Sequence, residues 1–184
     1  MTTKKCTGCG EVKSLEDFQK HKSTKDGLQV WCAYCLKKDQ KRRLNTELGF
    51  LKKRYSDIKD RCRQDNRKFY FTVDEFLAAF EKHKSIYGMK SAWGPGPDHL
   101  EQHLPIKMIH EGNGKKGQKG VAKGSKRIPS NLSVDRLDSN RHYTLQNLIF
   151  IRNDENTRKN NSSYEDCKIQ IRIHEERFIN MKAI

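Results

Sequence analysis

The chain has 184 residues, 34% hydrophobic and 33% charged, enough for one compact domain or for a small module joined to one. Lys and Arg total 38 against 23 Asp and Glu, a net charge of +15 that predicts a polyanionic partner, nucleic acid above all. No apolar run approaches the ~20 residues that a membrane helix needs, and the opening MTTKKCTGCG lacks the apolar stretch of a secretory signal, so the expectation is an intracellular, cytoplasmic protein with no membrane partner.

The first predicted element is a metal module. Cys6-x-x-Cys9 and Cys32-x-x-Cys35 are two identical pairs separated by 22 residues, slightly more than the usual gap of about 15 to 20. Each pair can bite one ion from a single turn, and together they complete a tetrahedral Zn²⁺ shell. A module of about 35 residues buries too little apolar surface to fold unaided, so the structural zinc supplies the missing free energy. Phe18, Val30 and Trp31 are the residues available to pack around it. Cys62 and Cys167 have no vicinal partner and read as ordinary thiols.

From Leu36 to Lys68 the chain carries 13 Lys/Arg against 5 Asp/Glu. Leu44, Leu48, Leu51, Tyr55, Ile58 and Cys62 step by four and three, which describes an amphipathic helix, and Gly49 bends it or divides it in two. Lys41, Arg42, Lys52, Lys53, Lys59 and Arg63 lie on the other face, suited to a phosphate backbone or simply to solvent. Thr72-Val-Asp-Glu75 is a capping-box signature ahead of Phe76, Leu77 and Phe80, and predicts a helix from about Thr72 to Ile86. Gly94, Pro95, Gly96 and Pro97 then forbid regular structure before a short segment in which His99 and His103, four apart, share one face if a helical turn forms. Gly112 to Arg127 holds five glycines, six basic residues and no acid, a basic loop that settles on phosphates or a plain linker.

The segment LSVDRLDSNRHYTLQNLIFIRNDENTRKN, from Leu132 to Asn160, divides into a strand, a turn-rich loop, a buried strand and a short helix capped by Asn153 or Asp154. Asp135 faces away from the side that Val134 buries, and a strand pair folded against the helix brings Asp135 and Asn156 together. Such a carboxylate and amide offer hard oxygens to Mg²⁺ or Mn²⁺, with Arg136 and Lys159 placed to grip phosphate oxygens. A final helix is expected around Tyr164, Cys167, Ile171 and Phe178.

The run S-V-D-R-L-D, then Y-T, Q-N-L and N-x-x-K, resembles the HNH (His-Me finger, ββα-metal) endonucleases, particularly phage-encoded ones. The K-C-x-x-C-G-x-x-K module resembles the zinc knuckles that precede such nucleases, and the layout resembles free-standing homing endonucleases of phages. The two matches span roughly a third of the chain. The resemblance implies an α+β protein: a four-cysteine zinc ribbon over 1–36, a basic helical linker over 37–70, and an HNH-like nuclease domain over 71–184 with its ββα core at about 131–161 and flanking helices. It also implies Asp135 and Asn156 as ligands of the catalytic ion, Asn147 as the brace of the loop, and Lys159 near the phosphates. The implied activity is metal-dependent, site-specific hydrolysis of double-stranded DNA, nicking or cutting both strands, in the cytoplasm, which is that of the host cell if the chain is phage-encoded.

One departure matters. The family carries a general-base histidine after the strand aspartate, whereas this chain has Arg136, which cannot accept a proton. Either another residue serves, with His99 and His103 beside Asp98 as the candidates, or the core is a degenerate one kept by a DNA-binding regulator.

Overall fold

The computed structural model of the protein describes residues 2–94, 97–110 and 128–159, the side chains of 97–99 apart. The basic loop expected over Gly112 to Arg127, the final helix with Cys167, and the side chain of His99 lie outside the described residues. Those described form a mixed α+β structure with four α-helices and three two-stranded antiparallel sheets.

Two small hairpins open the chain. Strand β1 (Thr3–Lys5) pairs with β2 (Val12–Ser14), and β3 (Phe18–Lys20) with β4 (Leu28–Cys32). The connections need left-handed backbone at Gly10 and Gly27, with φ of 79° and 70°, which glycine adopts without a Cβ penalty. Phe18 is buried with Cys6, Cys32 and Cys35, and Leu28 and Trp31 pack against them. Val30, expected in this cluster, is 48% exposed. The β3–β4 register slips between Phe18 and Lys20, and the Val30 carbonyl instead accepts from Thr7 N at 3.1 Å, so the residue serves the knuckle through its backbone.

Helix α1 (Ala33–Leu44) starts directly from Cys32, and α2 (Glu47–Gln64) follows after a two-residue break. The chain divides at Asn45–Thr46 and not at Gly49, because Thr46 caps α2 through its side chain, with Gly49 N donating to Oγ1 at 3.1 Å. Gly49 has a different reason: a Cβ there would lie 2.0 Å from the Arg43 carbonyl oxygen, so only glycine lets the two helices meet this tightly. The break also resets the helical phase. Leu48 is left 51% exposed and Phe50 takes the inward position, alongside Leu51, Ile58 and Cys62.

Helix α3 (Val73–Tyr87) has both halves of the capping box, with Thr72 N donating to Glu75 Oε2 at 2.7 Å and Glu75 N to Thr72 Oγ1 at 3.2 Å. Phe76 and Phe80 are completely buried. The segment Pro97–Gln102 winds as a 3-10 helix, whose three residues per turn do not stack positions four apart, and His103 falls just past its end.

Strands β5 (Leu132–Arg136) and β6 (Leu148–Arg152) form an antiparallel pair in which Asp135 faces Ile149, and α4 (Asn153–Lys159) packs on both. Leu132, Val134, Leu148 and Phe150 join Phe50, Leu51, Phe76 and Phe80 in the main core, so α2 and α3 cover one side of the hairpin. Ile149 and Ile151 are buried in a second cluster with Tyr87 and Ala92. Strand β6 is therefore apolar on both faces, as a continuous Leu-Ile-Phe-Ile run requires. Of the two expected caps, Asp154 takes the first-turn amide Glu155 N on Oδ1 at 2.9 Å, whereas Asn153 gives its Nδ2 to the Ile128 carbonyl at 3.0 Å. The Glu155 carboxylate reaches back to Arg152 N at 3.0 Å, while Asp154 is held by the Arg152 guanidinium. No helix among the described residues is long and apolar enough to cross a membrane.

Candidate functional site

Two groups of side chains carry chemistry. The first is Cys6, Cys9, Cys32 and Cys35, whose four Sγ atoms all lie within 4.8 Å of one another. A zinc tetrahedron with Zn–S of about 2.3 Å needs sulfurs roughly 3.8 Å apart, which this spread accommodates. The Cys6 sulfur accepts from Cys32 N at 3.2 Å and Gly8 N at 3.4 Å. Burial pushes the Cys6 thiol up, but the amides of Cys32, Cys9 and Gly8 outweigh it and bring the group down to about 6. Burial, followed by the crowding of the other three thiols, pushes Cys35 up to about 12. Cys6 and Cys35 are thus driven in opposite directions, a conflict that a divalent cation would remove by binding the four sulfurs as thiolates. Gly8 leaves room for this: a Cβ there would come within 3.1 Å of Cys35 Cβ and 3.2 Å of the Trp31 ring. The four-cysteine group fits a structural metal such as zinc.

The second group lies where α4 crosses the β5–β6 hairpin. Ser133 and Asp135 alternate with the buried Leu132 and Val134 and so share the face that α4 covers. Along α4, Asn156 sits over Ser133, its Nδ2 donating to Oγ at 2.8 Å, and Lys159 sits over Asp135, its Nζ donating to Oδ2 at 2.8 Å. The helix rise of about 4.5 Å over three residues tracks the strand rise of nearly 7 Å over two closely enough to make both contacts. Lys159 also donates to the Arg136 carbonyl and, at 3.5 Å, to Ser139 Oγ. Asp135 and Asn156 therefore lie on one face but hold different partners. Asp135 Oδ1 and Asn156 Oδ1 make no hydrogen bond among the described residues.

Around this face the loop between the strands is tied down from within. Asn147, buried, takes Asp138 N on Oδ1 at 2.8 Å and gives Nδ2 to the carbonyls of Asp138 and His142, both at 3.0 Å. Arg136, expected to grip phosphate, turns back on the same loop. Its Nη1 donates to the Ser139 and Arg141 carbonyls, and its guanidinium carbon lies 5.2 Å from the Tyr143 ring centre, while its buried Nε has no partner among the described residues. Lys159, likewise expected at the phosphates, is committed to Asp135.

No imidazole sits against Asp135 among the described residues. His103 is buried on the far flank of β6, where its Nδ1 lies 2.6 Å from the Ser91 carbonyl and Ala92 N donates to Phe150 O. Its ring packs so closely on Gly94 that a Cβ there would be 2.8 Å away, and this contact explains the glycine. His142 is exposed and lies edge-on to Tyr70, with 6.2 Å between ring centres.

Sequence reasoning did not anticipate three members of the site. Ser133 was legible from strand alternation, two positions before Asp135. Ser139 sits in the turn that Asp138 Oδ1 closes by accepting from Asn140 N at 2.9 Å. Tyr143 is brought in by tertiary packing, and burial first and the Asp135 carboxylate next hold its phenol above the ordinary value. Comparison with protein-family models, with curated proteins and with solved structures returns no match.

Proposed function

We propose that the protein is a metal-dependent DNA endonuclease of the ββα-metal type, homing-type in its layout, with a zinc-stabilised N-terminal module. The observation that carries this reading is the placement of α4 across the β5–β6 hairpin, which gathers Asp135, Asn156 and Lys159 on one face. Asp135 and Asn156 are the residues that would hold Mg²⁺ or Mn²⁺, and such an ion stabilises charge on a scissile phosphodiester and its leaving oxygen. Lys159 orients the Asp135 carboxylate and offsets its charge. Asn147 and Arg136 hold the loop 138–143 in one shape, so that the face is preorganised. Sequence recognition belongs to the N-terminal half, because phosphate contacts position a protein on DNA whereas base contacts specify the site.

A second reading, a DNA-binding regulator with a degenerate core, draws on the Asp135–Lys159 ion pair and on the burial of His103 against the Ser91 carbonyl. Supercoiled plasmid with Mg²⁺ or Mn²⁺ separates the two. Conversion to nicked or linear DNA by the wild type, lost in Asp135→Ala, supports the nuclease. Equal binding by both proteins with no cleavage by either supports the regulator.

A further inference from the structure

Helix α1 is held at both ends, packs on β4 and α2 along one side, where Leu36 and Leu44 are half-buried, and leaves its other side bare. Cys35 in its first turn belongs to the thiol cluster. Just past its last turn, Asn45 is tied to the chain at His110, with His110 N donating to Asn45 Oδ1 at 2.7 Å and Asn45 Nδ2 donating to His110 O at 3.1 Å. Between these ties, Cys35 is the only buried residue of the 12. A helix this polar gains little from packing of its own, and most of its surface is free to meet a partner.

What it presents is one basic stripe. Tyr34, Lys37, Lys38 and Lys41 stand at i, i+3, i+4 and i+7 and are all exposed, Tyr34 to 69%. The single acid of the helix, Asp39, points elsewhere and is taken by Arg42 at 2.8 Å and Arg43 at 2.9 Å. Lys37, Lys38 and Lys41 have no carboxylate partner among the described residues, so their charge is uncompensated by the fold. Twelve residues make a rod about 18 Å long and 10–12 Å across. The major groove of B-DNA is about 12 Å wide and flanked on both sides by phosphates.

We propose that α1 is the helix that enters the major groove of double-stranded DNA, with Lys37, Lys38 and Lys41 on the phosphates and groove edges and Tyr34 against the bases. This rests on the reading of the protein as one that acts on DNA, and it names the element that docks. Zinc then has a second consequence, since the metal fixes the end of the helix that carries Tyr34.

The test is equilibrium binding of the full-length zinc-loaded protein to a 30-bp duplex from 50 to 200 mM KCl. The triple variant Lys37→Gln, Lys38→Gln, Lys41→Gln should reduce the slope of log K against log salt by about 2.7, which is 0.9 for each phosphate that the variant no longer neutralises. The corresponding triple Lys→Arg variant should keep the wild-type slope, and both variants should keep their zinc and circular dichroism. Methyl green, a major-groove ligand, should displace the protein, and netropsin, a minor-groove ligand, should not. A steep wild-type slope left unchanged by the Gln variant overturns the placement of α1 alone. A wild-type slope near zero overturns the DNA reading with it. Displacement by netropsin and not by methyl green also refutes the proposal.

Discussion

Lys159 and Asp135 form an ion pair 2.8 Å long, with side chains only 4% and 14% exposed, between residues 24 apart in the chain. A pair this removed from water gains little over an apolar pair of the same shape, because desolvating both ions offsets their attraction. Breaking it is another matter, since the survivor is left as an uncompensated buried charge. The pair therefore couples α4 to β5 strongly, and it sets the rotamer of the one carboxylate on which the proposed chemistry depends.

Lys159→Met should accordingly destabilise the protein by about 3–5 kcal/mol. Adding Asp135→Asn should recover part of that loss, because the second change removes the stranded carboxylate. Urea denaturation of the two single variants and the double one measures the coupling, and additive losses would show that the two side chains do not interact.

The thiol cluster makes a prediction about metal. Cys32→Ser should lose one equivalent of zinc by elemental analysis and unfold the N-terminal hairpins while leaving the β5–β6–α4 unit intact. Zinc should also leave as pH falls, since each ligand binds as its thiolate and protons compete for the sulfurs. A purified wild type free of zinc would contradict both statements.

The acid limb of stability should carry a signature of Asp154. The Arg152 guanidinium, donating from Nε at 2.9 Å, holds the Asp154 carboxyl below its ordinary value against the opposing effect of burial. A carboxyl lowered in the folded state contributes stability that is fully present above its unfolded value, roughly 3.9, and that is lost as pH falls through the lower folded value. NMR titration should find the Asp154 midpoint below that of an unfolded aspartate. Asp154→Asn should flatten the dependence of unfolding free energy on pH in this acid window, and an unchanged slope would rule the contribution out.

Gly49→Ala tests the joint between α1 and α2. Alanine is the better helix former, so propensity alone predicts a gain. The new Cβ would instead press on the Arg43 carbonyl oxygen at 2.0 Å. The variant should lose about 1–3 kcal/mol, the usual cost of overpacking, and thermal melting reads the sign directly.

Some of this architecture was written in short stretches of sequence. The Thr72–Glu75 box predicted the start of α3 because both of its hydrogen bonds close within one turn. The paired cysteines predicted a four-thiol cluster because two residues of chain between thiols fix their bite. Alternation set Ser133 and Asp135 on one face of β5, and the Leu148–Ile151 run announced a strand buried on both sides. Other features were partly legible: a glycine near the middle of a long basic helix signalled irregularity, but whether it bent the helix or served a close approach depended on how α1 and α2 crossed.

What only the tertiary structure decided are the partners. Asn156 meets Ser133 and Lys159 meets Asp135 because α4 lies along β5 in one register, and nothing local to either segment sets that register. His103 and Arg136 have reactive or phosphate-gripping side chains by residue type. Packing turned one inward against Ser91 and Gly94 and the other back on its own loop. Spacing along the chain determines which side chains share a face, since covalent geometry is short-ranged. Which face meets which is settled by burial of the Phe50–Phe76–Phe80–Phe150 core, a cooperative free energy that belongs to the whole chain and to no single segment of it.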